Sequence, residues 1–189
     1  MATEDPAYLV LNGAHLKKMA TAAEIAAVVG VAPEIAQAEL AGFVEQGWAM
    51  DLDGRYLITP EGTTRVHEYY GQLYGALRAD PMVLAWYERF EALNEQFIKA
   101  VSDWQKSGDD EKALSRVVKV VERLVKTLGD LLPALPRYEN YIRRFAAGVS
   151  LIDQGNLDYV CGPTLDSVHT VWFEFHEDIL SVIGRPRDV

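Results

Sequence analysis

The chain is poor in cysteine. Cys161 stands alone among 189 residues, so no internal disulfide can form and a reducing, cytoplasmic setting is expected. It is poor in long apolar runs: none approaches the ~18 residues that a membrane span needs. The polar, acidic start from Met1 to Tyr8 lacks the charged-then-apolar layout of a signal peptide. Positive charge is scarce as well, with 18 Lys and Arg against 28 Asp and Glu and a net charge of −10. That balance argues against nucleic acid and against an anionic membrane surface as partners. Glycine-rich phosphate loops, a nucleophile elbow and Cys-Cys metal pairs are all missing. No complete catalytic set is in view, and no cofactor or metal is expected. What remains, 49% apolar and 24% charged residues, is the composition of a folding chain, long enough to bury roughly 70% of its extended surface.

The first half reads as helix, turn, helix, hairpin, helix. Thr21 with Glu24 three residues later is a capping box, in which each side chain satisfies the other's free backbone N–H. Ile25, Val28 and Val29 follow at helical spacing, and Gly30 stops that helix. Pro33 sits in the first turn of the next, where its missing N–H costs nothing. Ile35, Leu40, Phe43 and Val44 form its apolar stripe and Gly47 ends it. Extended pieces around Trp48 to Asp51 and Arg55 to Ile58 flank Asp53-Gly54, a two-residue hairpin signal. Thr59-Pro60-Glu61-Gly62 then opens a helix carrying Val66, Tyr69, Tyr70, Leu73 and Leu77.

This order, and the phrasing "TAAEIAAVVGVAPEIAQAELAGFVEQGW" followed by "GRYLITPEGTTR", resembles the winged helix-turn-helix family over about residues 8 to 78. The resemblance implies a winged-helix domain over 1–78. It also implies that the helix from about Pro33 to Gln46 is the one that DNA-binding relatives lay in the major groove. Here the charges depart from that pattern. No Lys or Arg lies between Lys18 and Arg55, while Glu24, Glu34, Glu39, Glu45, Asp51 and Asp53 do. Residues 1–78 carry 5 basic and 10 acidic groups, a net of −5. Phosphate neutralisation by cations supplies most non-specific affinity for DNA. A helix presenting Glu34, Gln37 and Glu39 has the wrong sign for it, so a docking or dimerising module is the preferred reading.

From Asp80 onward the text is helical. Asp80-Pro81 opens a helix to about Lys106, and Ser107-Gly108-Asp109-Asp110 reads as a loop. Helices follow over about Asp110 to Leu128, Pro136 to Asp153 and Pro163 to Ile183, the last stopped by Gly184 and Pro186. Four amphipathic helices with short connections predict an antiparallel bundle over 79–189. The fold class expected for the whole chain is thus mainly α, a winged helix-turn-helix with a short hairpin followed by a helical bundle.

Several groups in the bundle are candidates for a site. Asp166, His169 and His176 share one helical face with Phe173 between the two histidines. A metal needs three or four ligands, and neither the His spacing of metalloproteases nor the Glu-x-x-His pairs of di-iron bundles is present. Glu88 and Glu91 lie on one face of the first bundle helix. With Tyr138, Tyr141, Arg143, His169, Trp172 and His176 they are the candidate lining for a small aromatic or anionic ligand. The same residue types equally suit a packed core with a snorkelling rim. On the second bundle helix Lys112, Arg116, Lys119, Arg123 and Lys126 recur at spacings of three and four and form one basic stripe. That stripe is either a solvated face paired with Glu111 or Glu122, or a docking surface for an acidic partner such as the acidic helix of another copy.

Two functions follow as expectations. The first is a non-enzymatic regulatory or accessory subunit, contacting protein through Arg116, Lys119, Arg123, Lys126 and through Glu34, Gln37, Glu39. The text "VWFEFHEDILSVIGRPR" resembles small helical proteins that accompany phosphoenolpyruvate-utilising phosphotransferases, which implies a larger enzyme of that type as partner. The second is a ligand-responsive transcriptional regulator binding DNA as a homodimer. A dimer is expected in either case, since an isologous helix interface would cover the aromatic surplus.

Overall fold

The computed structural model describes residues 5–107 and 110–186. Met1 to Glu4 and the Gly108-Asp109 part of the expected loop lie outside them. The protein is mainly helical and holds one small three-stranded antiparallel sheet. Two compact units are present: residues up to Ala76 together with those from Glu177 onward, and Leu77 to His176.

In the first unit, α1 (Pro6–Lys17) is capped by Asp5, whose carboxylate accepts from the Ala7 N–H at 3.0 Å. A strand not expected from sequence, β1 (Met19–Thr21), follows. Three residues are too few for a period-two pattern, so only pairing reveals it. The Thr21–Glu24 capping box is formed. Glu24 Oε2 accepts from the Thr21 N–H at 2.7 Å, the Thr21 hydroxyl accepts from the Glu24 N–H at 3.3 Å, and α2 (Ala22–Val29) starts there. Gly30 ends it at φ 74°. α3 (Pro33–Glu45) leaves at 115° to α2. The hairpin of β2 (Ala49–Leu52) and β3 (Arg55–Ile58) turns at Asp53 and Gly54, with φ 54° and 82°, the left-handed pair that a tight two-residue turn requires. Strand order is β1-β3-β2. The register sets Met19 opposite Leu57 and Leu57 opposite Met50. α4 (Pro60–Tyr74) is capped by the Thr59 hydroxyl. Its Gly62 has no alternative, because a Cβ there would overlap the Trp48 carbonyl oxygen. The helix expected to reach Leu77 tightens to a 3₁₀ turn at Gly75–Ala79.

In the second unit, α5 (Pro81–Ser107) starts at Asp80, whose carboxylate accepts from the Met82 N–H at 2.8 Å. α6 (Glu111–Leu128) is capped by Asp110. Short 3₁₀ turns at Gly129–Leu131 and Pro136–Tyr138 carry the chain through its prolines to α7 (Glu139–Asp153). Next come α8 (Asp158–Cys161) and α9 (Val168–Ile183), whose residues from Glu177 onward belong to the first unit. The last helix was expected from Pro163 and begins five residues later. The Ser167 hydroxyl accepts from the Thr170 N–H at 3.2 Å, while the Thr170 hydroxyl bonds back to the Gly162 carbonyl. A serine cap with free N–H groups to satisfy outweighs a proline that only tolerates a helix start.

Among the described residues no single helix is long and apolar enough to cross a membrane.

Candidate functional site

The amphipathic faces of α5, α7 and α9 converge on an aromatic layer. Phe97 and Trp172 stack with centroids 3.9 Å apart and planes 4° apart. Phe90 meets Trp172 at 5.8 Å and the edge of Phe175 at 5.2 Å. The polar handle of Trp172 is satisfied, since its indole N–H donates to Asn94 Oδ1 at 2.8 Å. Of the eight candidate ligand residues, five belong to this layer. Trp172 is buried in it, His176 sits half-buried against Phe90 at 5.2 Å, and Tyr138 and Tyr141 meet Phe175 at 5.4 and 5.3 Å. His169 is exposed at its rim, 6.3 Å from Phe97, and partial desolvation lowers its pKa. The other three lie elsewhere. Glu88 is exposed and Glu91 half-buried on α5, and Arg143 is exposed and donates to Asn140. Rings at these separations are in contact, so the layer is core that holds the helices together.

The neighbour of Arg143 is the buried one. Arg144, 5% exposed, donates through Nε and one terminal nitrogen to Asp166 at 2.9 and 2.5 Å, and to Glu174 at 2.5 Å. Burial alone would lower its pKa. The Asp166 bonds and the Glu174 charge outweigh that and raise it. Its other terminal nitrogen has no hydrogen-bond partner. The signal in the sequence was phase: Arg144 falls three residues after buried Tyr141 and four before buried Gly148. Glu174 and Asp178 likewise sit at i and i+4 on the apolar face of α9.

A second buried polar group lies in the first unit. The Tyr70 hydroxyl is 2.8 Å from Asn12 Oδ1 and 2.9 Å from Asp178 Oδ1. One turn from Asn12, buried His15 meets exposed His67 edge-on at 5.5 Å. Burial, helped by the positive charge of Lys18, lowers the His15 pKa to about 4, and its Nδ1 has no partner. None of this was anticipated, because the three elements are far apart in sequence.

The surfaces carry the remaining candidates. All five cations of the α6 stripe are exposed. The two arginines do not pair with Glu111 or Glu122. Arg116 lies 3.8 Å from Asp103 and Arg123 donates to Gln96 Oε1 at 2.7 Å, both on α5. Lys112, Lys119 and Lys126 have no such partner among the described residues. On α3, Glu34 and Gln37 are exposed and Glu39 half-buried. Gln37 is anchored, its amide donating to the Tyr56 hydroxyl of β3 at 2.7 Å. Arg55 of the hairpin is taken up by the Met19 carbonyl at 3.4 Å and by Glu24 at 3.9 Å. The backbone N–H of Thr21 holds the Glu24 carboxyl below its usual range, with Arg55 adding to the effect. The solvent face of the sheet is apolar: Met19, Leu57 and Met50 form one row across three strands, and Leu52 lies two residues from Met50 on that face. Met19, Met50 and Leu52 are each more than 40% exposed, and on α3 Ile35 and Val44 are exposed too.

Among the described residues no group of three or more His, Cys, Asp or Glu is placed to hold a metal ion. The exposed surfaces differ in sign: an acidic and apolar face in one unit and a cationic helix in the other. No family model, curated protein or solved structure matches the chain.

Proposed function

We propose that this protein is a non-enzymatic accessory subunit that docks on protein, with a winged helix-turn-helix in its first unit serving as a contact module. The order helix, strand, helix, helix, hairpin, helix, the β1-β3-β2 sheet and the 115° between α2 and α3 support the winged-helix reading. One observation carries the functional choice. The surface of α3 and the hairpin combines acids with exposed apolar side chains, and the hairpin's one cation, Arg55, is engaged within the unit. A phosphate backbone needs free cations. A protein interface takes apolar side chains rimmed by polar ones. The α6 cations supply a second contact of opposite sign, and the likeness in the last helix favours a phosphotransferase-type enzyme as the larger partner. Co-purification of the tagged full chain tests this. The expected result is a stable complex with a larger enzyme, lost on Arg116→Glu with Arg123→Glu. A chain that runs alone at every salt concentration rejects it.

The element order also favours a second reading, a homodimeric DNA-binding regulator whose aromatic layer responds to a small molecule. A mobility-shift assay with duplex DNA at about 50 mM salt separates the two, since non-specific binding is strongest at low salt. The docking function predicts no shift.

A further inference from the structure

We infer that the lysine row of α6 receives the acidic face of α3 from a second copy of this chain, so that the protein self-associates through charge pairing. This rests on the docking function above and names the first occupant of its two faces.

The row is regular. Lys112, Lys119 and Lys126 recur every seven residues, close to two turns, so they project on one side over roughly 21 Å at 1.5 Å per residue. Arg116 and Arg123 lie between them with their heads held by Asp103 and Gln96. Those bonds keep the guanidinium groups beside the row, while the lysines stay unpaired among the described residues. This one helix holds 5 of the chain's 18 cations and only two acids, Glu111 and Glu122. Elsewhere the chain is strongly acidic, so the row is the outlier in sign.

The matching surface has the same form with the sign reversed. Glu34, Ala38, Ala41 and Glu45 follow at spacings of four, three and four on α3, and all four are exposed. The alanines leave room for a facing helix to come close. The glutamates stand at the two ends, roughly 16 Å apart along the axis, and exposed Asp51 and Asp53 of the hairpin add to the acidic surface. Neither face is covered by another of the described residues, because the side chains of both are exposed. A second copy always brings the counter-surface at equal concentration and opposite in charge.

The test is sedimentation equilibrium of the full chain at about 50 mM and about 500 mM salt. The expected result is self-association at low salt that weakens about tenfold or more at high salt. Lys119→Glu with Lys126→Glu, and separately Glu34→Lys with Glu45→Lys, each weaken it about tenfold at low salt. The chain carrying all four changes regains it, which no folding defect would produce. A monomer at low salt overturns the inference, as does association indifferent to salt or to the reversals. Capture of a duplex oligonucleotide by the native chain, lost in Lys119→Glu with Lys126→Glu, assigns the row to a polyanion and overturns it too. A monomeric chain that still co-purifies with a larger protein refutes self-association and leaves the docking function standing. A self-associated chain that co-purifies with nothing does the opposite.

Discussion

At the scale of single residues, the buried charges set the energetics. Arg144 and Glu174 are 5% and 2% exposed and bonded to each other, so removing Arg144 takes from buried Glu174 the cation that offsets its charge in a low-dielectric interior. Arg144→Met is expected to cost about 3–5 kcal/mol in urea unfolding. Arg144→Met with Glu174→Met recovers most of that loss, because two methionines bury no charge and fill similar volume. Arg144→Lys does not substitute, since a point charge cannot make the two bonds to Asp166 that the planar fork makes. His15 sets a pH dependence. Its pKa falls from 6.5 in the unfolded chain to about 4 in the folded one. Between those values the unfolded chain binds the proton and the folded chain does not, so stability is full above pH 6.5 and declines toward pH 4, by about 3 kcal/mol at most. Denaturant melts from pH 7.5 to 4 should show this decline, and His15→Gln should flatten it.

At the scale of elements, the ends of helices are specified more sharply than their middles. Asp5, Thr21, Thr59, Asp80 and Asp110 each accept from the backbone N–H groups that open their helices. All but Asp5 sit where the sequence reading places a start, because capping is settled within four residues. Thr21→Ala removes the hydroxyl that accepts from the Glu24 N–H and keeps the backbone N–H that donates to Glu24; it is expected to lower stability by about 1 kcal/mol, whereas Thr21→Ser is nearly neutral, and thermal unfolding of the pair distinguishes the two. The start of α9 is the contrary case. Proline at 163 is compatible with a first turn, yet the backbone of Gly162 is held by Thr170 and the cap falls to Ser167. β1 is another: Met19–Thr21 is a strand only because β3 is there to pair with it.

At the scale of the whole molecule, charge and chain path are both unevenly distributed. The net −10 conceals a helix with five cations, and the acids concentrate where the winged-helix likeness leads one to expect bases. The residues from Glu177 onward complete the first unit rather than the second: Asp178, fully buried, reaches Tyr70. A chain ended after His176 is therefore expected to lose protection in α1 and α4, although neither is altered. Hydrogen exchange reads this directly. Amides of α1 and α4 should exchange much faster in the shortened chain, and unchanged protection would show that the first unit stands without its C-terminal segment.

By itself the sequence determined what short range decides. Every longer helix after α1, the hairpin at Asp53-Gly54, the stops at Gly30 and Gly47 and the sign of each surface were legible, because backbone preference, capping and period are settled over a few neighbouring residues. The candidate site was legible only in part. The aromatic residues did converge, and helical phase puts Arg144 rather than exposed Arg143 on the buried face of α7, but nothing local named the two carboxylates 22 and 30 residues away that it is buried against. Only the tertiary structure joined Asn12 to Tyr70 across 58 positions and Tyr70 to Asp178 across 108, and only it left the α6 lysines unpaired while the arginines found α5. The physical reason is that a buried polar group is satisfied by whatever packing brings near it, and packing is a property of faces that meet from distant parts of the chain.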